Sequence, residues 1–183
     1  NQGSQCINVL VQQALPQLLK DWWIIHQCGS ATTVMNYKRS LEKTKVSLPV
    51  NIQTHYYVRE WVSDQELGWI YRQSAAVLSR AGANTVSELI TMGRPALLIP
   101  LPQAHDDEQL RNAELMADAQ AALILPQRDA SAQSLVSKLN QVRKKIHAMQ
   151  RQAVLLQDQL PTNAAQRLYL LARQVAGQPA GSG

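Results

Sequence analysis

The sequence predicts an α/β layer fold, a parallel sheet with helices on both faces, in a single domain. Three observations carry that expectation. Short apolar runs of strand length alternate with longer runs of helical periodicity. The later apolar runs each end in Gly, Pro or polar residues, which is where a parallel sheet delivers its loops. No segment repeats, which removes solenoids and propellers. The 183 residues are 45% hydrophobic, enough for one core. With no Phe in the chain, Leu, Ile, Val and Ala must fill that core.

Asn1 to Asn8 reads NQGSQCIN, a turn with small residues at Gly3 and Ser4 that can bring backbone amides to an anion at a helix start. Alone it reads as a plain loop. Leu10 to Lys20 has Leu10, Val11, Ala14, Leu15, Leu18 and Leu19 at helical spacing and predicts a helix despite Pro16. Trp22 to Gln27 predicts a strand ending at Gly29, and Ala31 to Lys43 a helix. Ile52 to His55 and Val58 to Val62 are strand candidates. Asp64 can cap a helix over Gln65 to Arg72, whose Trp69 and Tyr71 read as core or interface residues rather than base-stacking platforms.

The densest stretch is Arg80 to Ala113, RAGANTVSELITMGRPALLIPLPQAHDDEQLRNA. Val77-Leu78 before it predicts a buried strand, and Gly82 allows a sharp turn or a close ligand. Thr85 and Ser87 can cap a helix that turns Val86, Leu89 and Ile90 inward, with Glu88 in its first turn. The free amides of Ala83, Asn84, Thr85, Val86 and Ser87 at such a start suit a phosphate. Glu88 can accept hydrogen bonds from two vicinal ribose hydroxyls; equally, it can serve only the helix dipole. Gly93-Arg94-Pro95 ends the helix and launches Ala96 to Ile99, which Pro100 and Pro102 stop. Gln103, His105, Asp106, Asp107, Glu108, Gln109 and Asn112 follow, a loop able to bind hydroxyls. A helix from about Glu108 places Gln109 and Asn112 on one face.

Ala121 to Leu125 predicts the last strand. Ser131 caps a helix to about Ile146, Met149 to Gln159 forms another, and Thr162 caps one over Asn163 to Val175. The tail Gly177 to Gly183 is flexible by composition. The domain is therefore expected over 1–176, with 177–183 as tail.

Charge and cysteine usage narrow the function classes. The net charge of +5 comes from 18 Lys+Arg against 13 Asp+Glu. Its one cluster, Lys138, Arg143, Lys144, Lys145 and Arg151, has no interleaved aromatics, which argues against nucleic acid. Asp106, Asp107 and Glu108 form an oxygen-ligand pattern, but no second acidic cluster or His pair joins them, so a solvated helix start is favoured and no metal is expected. His26 at a strand end invites a catalytic role; orienting a loop by hydrogen bonds is favoured. Cys6 and Cys28 without a Cys-x-x-Cys fit a reducing compartment. No run reaches the roughly 20 apolar residues of a membrane span, which predicts a soluble or peripheral chain. A first residue of Asn rather than Met suggests a truncated or processed chain.

The ordered set Arg80, Gly82, Ala83, Thr85, Glu88, Gly93, Pro95, Ala96, Pro100, Asp106, Gln109, Asn112 and Ala113, with Ala81 in place of Ser, resembles the donor-nucleotide motif of the MurG-like family 28 glycosyltransferases. Gly3, Ser4, Gln5 and Asn8 resemble the family's phosphate loop, with Gln2 and Cys6 where the family has glycines. His26-Gln27-Cys28-Gly29 resembles its His-Gln-Ser/Thr-Gly. The resemblance runs from about Gln2 to Leu125.

It implies a Rossmann-like domain, the C-terminal half of a GT-B glycosyltransferase, with the first strand missing and the N-terminal acceptor domain absent. An inverting transferase is implied that moves N-acetylglucosamine from UDP-N-acetylglucosamine to lipid-linked muramoyl-pentapeptide in peptidoglycan lipid II synthesis. It would need no cofactor and would work as a cytoplasmic, peripheral protein at the inner membrane. The implied UDP-sugar contacts are Ser4, Val62, Ala83, Asn84, Thr85, Val86, Ser87, Glu88 and Gln109, joined by Gly3, Gln5 and Asn112. Val62 would present its backbone to uracil, and no catalytic residue falls in this chain, which alone would bind donor weakly and catalyse nothing. Two alternatives stay open: a non-catalytic nucleotide-sugar-binding subunit of a split transferase, and a glycolipid-forming relative. In a doubly wound sheet the first strand is central, so its loss is expected to leave two neighbours with unpaired ladders.

Overall fold

A computed structural model describes residues 4–31, 36–102 and 107–159. Its elements run α1 (Gln5–Leu18), β1 (Ile24–Gln27), α2 (Tyr37–Val46), α3 (Val50–Gln53), β2 (Tyr56–Arg59), α4 (Asp64–Gln73), β3 (Val77–Ser79), α5 (Ala83–Thr91), β4 (Ala96–Leu98), α6 (Glu108–Asp118), β5 (Ala122–Ile124) and α7 (Ala132–Gln159). All strand pairs are parallel, in two groups, β1-β2 and β3-β4-β5.

Ala96 to Ile99, β4 and the residue after it, explain the layering. Alternate side chains point to opposite faces of a strand. Leu97 and Ile99 enter one core with Leu10, Leu15, Leu41, Tyr56, Leu135 and Val142, contributed by α1, α2, β2 and α7. Ala96 and Leu98 enter a second core with Val86, Leu89, Ala113 and Met116 of α5 and α6. Two cores on opposite faces of one strand are the two helical layers the sequence predicts. At 28 residues, α7 is about 42 Å long, and it serves both: Leu135, Leu139, Val142 and Met149 pack in the first core, Ala153 and Leu156 in the second.

The two groups are not paired with each other among the described residues. Ile24 and Cys28 donate N–H to His55 and Arg59 of the β2 side, so alternation turns the backbone groups of Ile25 and Gln27 to the opposite edge. On β3, Val77 donates to Pro95 and Ser79 accepts from Ile99, which turns Leu78 away from β4. Neither edge is paired among the described residues. β1 and β3 thus each carry one unpaired ladder, as do β2 and β5 at the other edges of their groups.

Several expectations need correction. Ile52 to His55 is not a strand: α3 turns there, and β2 starts at Tyr56. Pro49 sets the start of that turn, an N-terminal preference that outweighs the β-branched Ile52. Trp61 and Val62 lie beyond β2 in irregular chain. The second helix begins at Tyr37, with the Asn36 side chain accepting from Arg39 N–H. The cap of α4 is Ser63, in a reciprocal box with Glu66 rather than Asp64. The first helix begins at Gln5, not Leu10. The helices expected at 131–146 and 149–159 are one, because no helix breaker separates Ile146 from Met149 and both cores hold its inner face; Ser131 does cap it, through Ser134 N–H at 3.1 Å. The helix over Asn163 to Val175 and the tail lie outside the described residues.

Candidate functional site

Loops at the carboxyl ends of β3, β4 and β5 meet the N-terminus of α1, and Arg80 joins them. Its Nε donates to Ser4 Oγ at 2.9 Å, one Nη to the carbonyls of Ile99 (3.0 Å) and Pro100 (3.4 Å), and the other to Gln127 Oε1 at 2.6 Å. Ser4 is itself the N-cap of α1, accepting from Ile7 N–H at 3.4 Å. One side chain thus ties the phosphate-type loop to two strand ends, and all four oxygens it meets are uncharged. Of the five guanidinium N–H groups, these bonds use four. Burial disfavours the charged form. The motif included Arg80, but sequence reading gave it no role; a basic residue directly at a strand's carboxyl end, two before the helix-starting glycine, was the available signal.

Helix α5 starts at Ala83 with Gly82 as its cap, and no side chain bonds its first amides. Thr85 and Ser87 are therefore inside the helix rather than capping it, which corrects the expectation. Its first turn holds no acidic residue, so unpaired N–H groups and the positive dipole end remain available to an anion. Gly82 has φ −64°, a value open to any residue, and an added Cβ would meet nothing within 4 Å. Ala83, Asn84, Ser87 and Glu88 are exposed, Thr85 is half-buried and Val86 is buried in the core; only the backbone of Val86 can face a ligand.

Glu88 lies in the second turn, not the first, so serving the dipole is a poor account of it. The Tyr71 hydroxyl of α4 donates to its Oε2 at 3.4 Å. The far end of α5 is fixed by Gly93, in the left-handed region at φ +57°, where a Cβ would come 2.9 Å from Gln157 Oε1. Gln150 and Gln157 of α7 donate to the Gly93 and Thr91 carbonyls at 2.6 and 2.7 Å.

Gln109 and Asn112 both reach back to the strand ends. Gln109 Oε1 accepts from Leu101 N–H at 3.0 Å, and Asn112 Nδ2 donates to the Ala81 carbonyl at 3.1 Å. Gln109 Nε2 makes no hydrogen bond among the described residues, which leaves its NH2 group as a donor for a ligand. Asp107 and Glu108 are exposed at the start of α6. Gly3, Gln103, His105 and Asp106 lie outside the described residues. Gln5 is exposed in the first turn of α1.

Val62 is buried beside β2. It lines a cavity of about 310 Å³ with Ile25, Tyr57, Arg59, Glu66, Trp69 and Ile70. No hydrogen bond among the described residues links it to Arg80 or Glu88. A larger cavity, about 430 Å³, lies between α1 and α7 and is lined by Gln17, Ser137, Asn140 and Lys144, away from the motif residues.

His26 is structural. Its Nε2 donates to Asn8 Oδ1 at 2.9 Å and its Nδ1 accepts from the Tyr56 hydroxyl at 2.7 Å, while Asn8 Nδ2 donates to the Cys28 carbonyl at 2.9 Å. The assignment follows from Asn8, whose amide nitrogen is engaged by a carbonyl and whose oxygen must accept. Burial lowers the His26 pKa to about 4. The ring is neutral and ties α1 to both strands of the first group.

Residues 1–168 match the family model described as glycosyltransferase family 28 C-terminal domain. The chain belongs to this family. A relative from Alcanivorax borkumensis (strain SK2) is 35% identical over 181 residues, 95% of this chain and 46% of its own length. One from Shewanella sp. (strain ANA-3) is 49% identical over 139 residues, 75% of this chain and 36% of its own. Both bear the name UDP-N-acetylglucosamine--N-acetylmuramyl-(pentapeptide) pyrophosphoryl-undecaprenol N-acetylglucosamine transferase. The crystal structure of Acinetobacter baumannii MurG superposes with a TM-score of 0.71 at 25% identity, covering 94% of this chain and 50% of that one. The family 28 domain here thus has the Rossmann-like fold of a GT-B C-terminal half, and it spans less than half the length of the curated relatives quoted.

Among the described residues no helix is long and apolar enough to cross a membrane, and no group of three or more His, Cys, Asp or Glu is placed to hold a metal ion.

Proposed function

We propose that this domain is the donor-binding half of an inverting glycosyltransferase that moves N-acetylglucosamine from UDP-N-acetylglucosamine to lipid-linked muramoyl-pentapeptide, at the cytoplasmic face of the inner membrane and in peripheral contact with it. The observation that carries the reading is the Arg80–Ser4 bond, which brings the two motif segments of the sequence together at the strand ends. Transfer with inversion needs a base for the acceptor hydroxyl and electrostatic relief for the departing diphosphate. This chain supplies the second. The diphosphate lies against the amides of Ala83, Asn84, Thr85, Val86 and Ser87 and the Ser4 cap, with the Arg80 charge and its remaining N–H nearby. Glu88 accepts from the ribose diol. The backbone of Val62 pairs with the imide edge of uracil, and the Gln109 NH2 donates to a sugar hydroxyl.

The acceptor cleft and the base belong to the part of the longer relatives that this chain does not span. The chain by itself therefore binds donor and turns nothing over. Calorimetry with UDP-N-acetylglucosamine tests the reading. Glu88→Ala should weaken binding about ten- to a hundredfold, the scale of a lost hydrogen bond to a charged group. Unchanged affinity in that variant would remove Glu88 from the site.

A further inference from the structure

Glu88 is the exposed carboxylate on which ribose recognition depends, and an exposed glutamate by itself samples many rotamers. Among the described residues one side chain bonds it: the hydroxyl of Tyr71, at 3.4 Å from Oε2. The two come from different elements, α4 and α5. The ring of Tyr71 is buried, so its hydroxyl stands at a fixed point while the glutamate stem does not. We propose that Tyr71 is a positioning residue for the ribose subsite: its hydroxyl holds one carboxylate oxygen of Glu88 so that the remaining lone pairs face the 2′- and 3′-hydroxyls of a uridine nucleotide. The proposal rests on the donor-site reading above.

The chemistry is consistent with a permanent donor. Burial, with the Glu88 charge second, pushes the Tyr71 phenol well above its ordinary range, so the hydroxyl remains a donor. A carboxylate offers about four acceptor sites. One taken by Tyr71 leaves enough for both ribose hydroxyls and fixes their direction.

The experiment is calorimetry of the 183-residue chain with UDP and with 2′-deoxy-UDP. Wild type should prefer UDP by about tenfold, the scale of one hydrogen bond to a charged group. Tyr71→Phe keeps the ring in place and should weaken UDP about three- to tenfold and 2′-deoxy-UDP, which keeps only the 3′-hydroxyl, by clearly less, so the preference narrows. In a Glu88→Ala background, which has no oxygen for Tyr71 to hold, the same Tyr71→Phe change should be silent for both nucleotides; Glu88 is exposed, so this background keeps the fold. A role in packing alone would lower the unfolding temperature and leave the ribose preference intact. Equal weakening of both nucleotides by Tyr71→Phe, or none, overturns the proposal while the donor site stands. A wild type that binds UDP and 2′-deoxy-UDP alike overturns the Glu88 assignment itself, and the Tyr71 proposal with it.

Discussion

The two strand groups of this domain are unequally finished. In the three-stranded group β4 is paired on both sides and wholly buried, with Leu97 and Leu98 both at 0% exposure. In the two-stranded group Ile25 and its parallel partner Tyr57 are 47% and 45% exposed, beside an open cavity. The difference separates tasks. The amides, the cation and the carboxylate of the proposed phosphate and ribose subsites rise from the finished group, whose central strand is paired on both sides and buried. Val62, the proposed base reader, rises from the unfinished one. The shared core along α1 and α7 and the Arg80–Ser4 bond hold the groups together, and the neutral His26 with its Asn8 and Tyr56 partners fastens α1 to the two-stranded group.

The largest effect that could break this contrast is in the cores. Leu97→Ala should cost about 2–5 kcal/mol in urea unfolding, whereas Ile25→Ala, at a half-exposed strand position, should cost under about 1 kcal/mol. Comparable losses at the two positions would mean that both groups are equally packed.

Acid should weaken the two-stranded group selectively. The folded His26 pKa, about 4, lies below its ordinary 6.5, so the unfolded chain binds the extra proton between these values. The contribution is complete above pH 6.5 and is lost as pH falls toward 4, by about 3 kcal/mol. The difference in stability between wild type and His26→Gln, followed from pH 7 to pH 4, should shrink over that window; a pH-independent difference would contradict a buried neutral ring.

A smaller effect sharpens the picture of α4, which joins the two groups in sequence. Ser63→Ala removes a capping-box partner of Glu66 and should cost about 1 kcal/mol. Asp64→Ala, one residue into the helix, should cost less. The reverse ranking would restore Asp64 as the cap.

Much of this was legible in the sequence, and the exceptions have physical causes. Strands with continuous apolar runs, such as Ala96 to Ile99, were plain because a central parallel strand is buried on both faces. Short or half-buried segments were not: Ile52 looks like a strand residue, and only Pro49 ahead of it hints at the turn. The start of α5 was misplaced by three residues because Gly82 caps it without a side chain, so Thr85 and Ser87 were the visible candidates. Arg80 was part of the motif, yet its role needed the fold, since Ser4 lies 76 positions away. The cavity beside Val62 was not legible, because it depends on where α4 crosses.

One measurement bears on the central claim that a uridine nucleotide binds where the two groups meet at their carboxyl ends. Backbone amide shifts recorded while UDP is titrated into the chain should change most at Ala83, Asn84, Thr85 and Ser87, with smaller changes at Gln5 and Val62. Changes centred instead on Gln17, Asn140 and Lys144, around the larger cavity between α1 and α7, would contradict it.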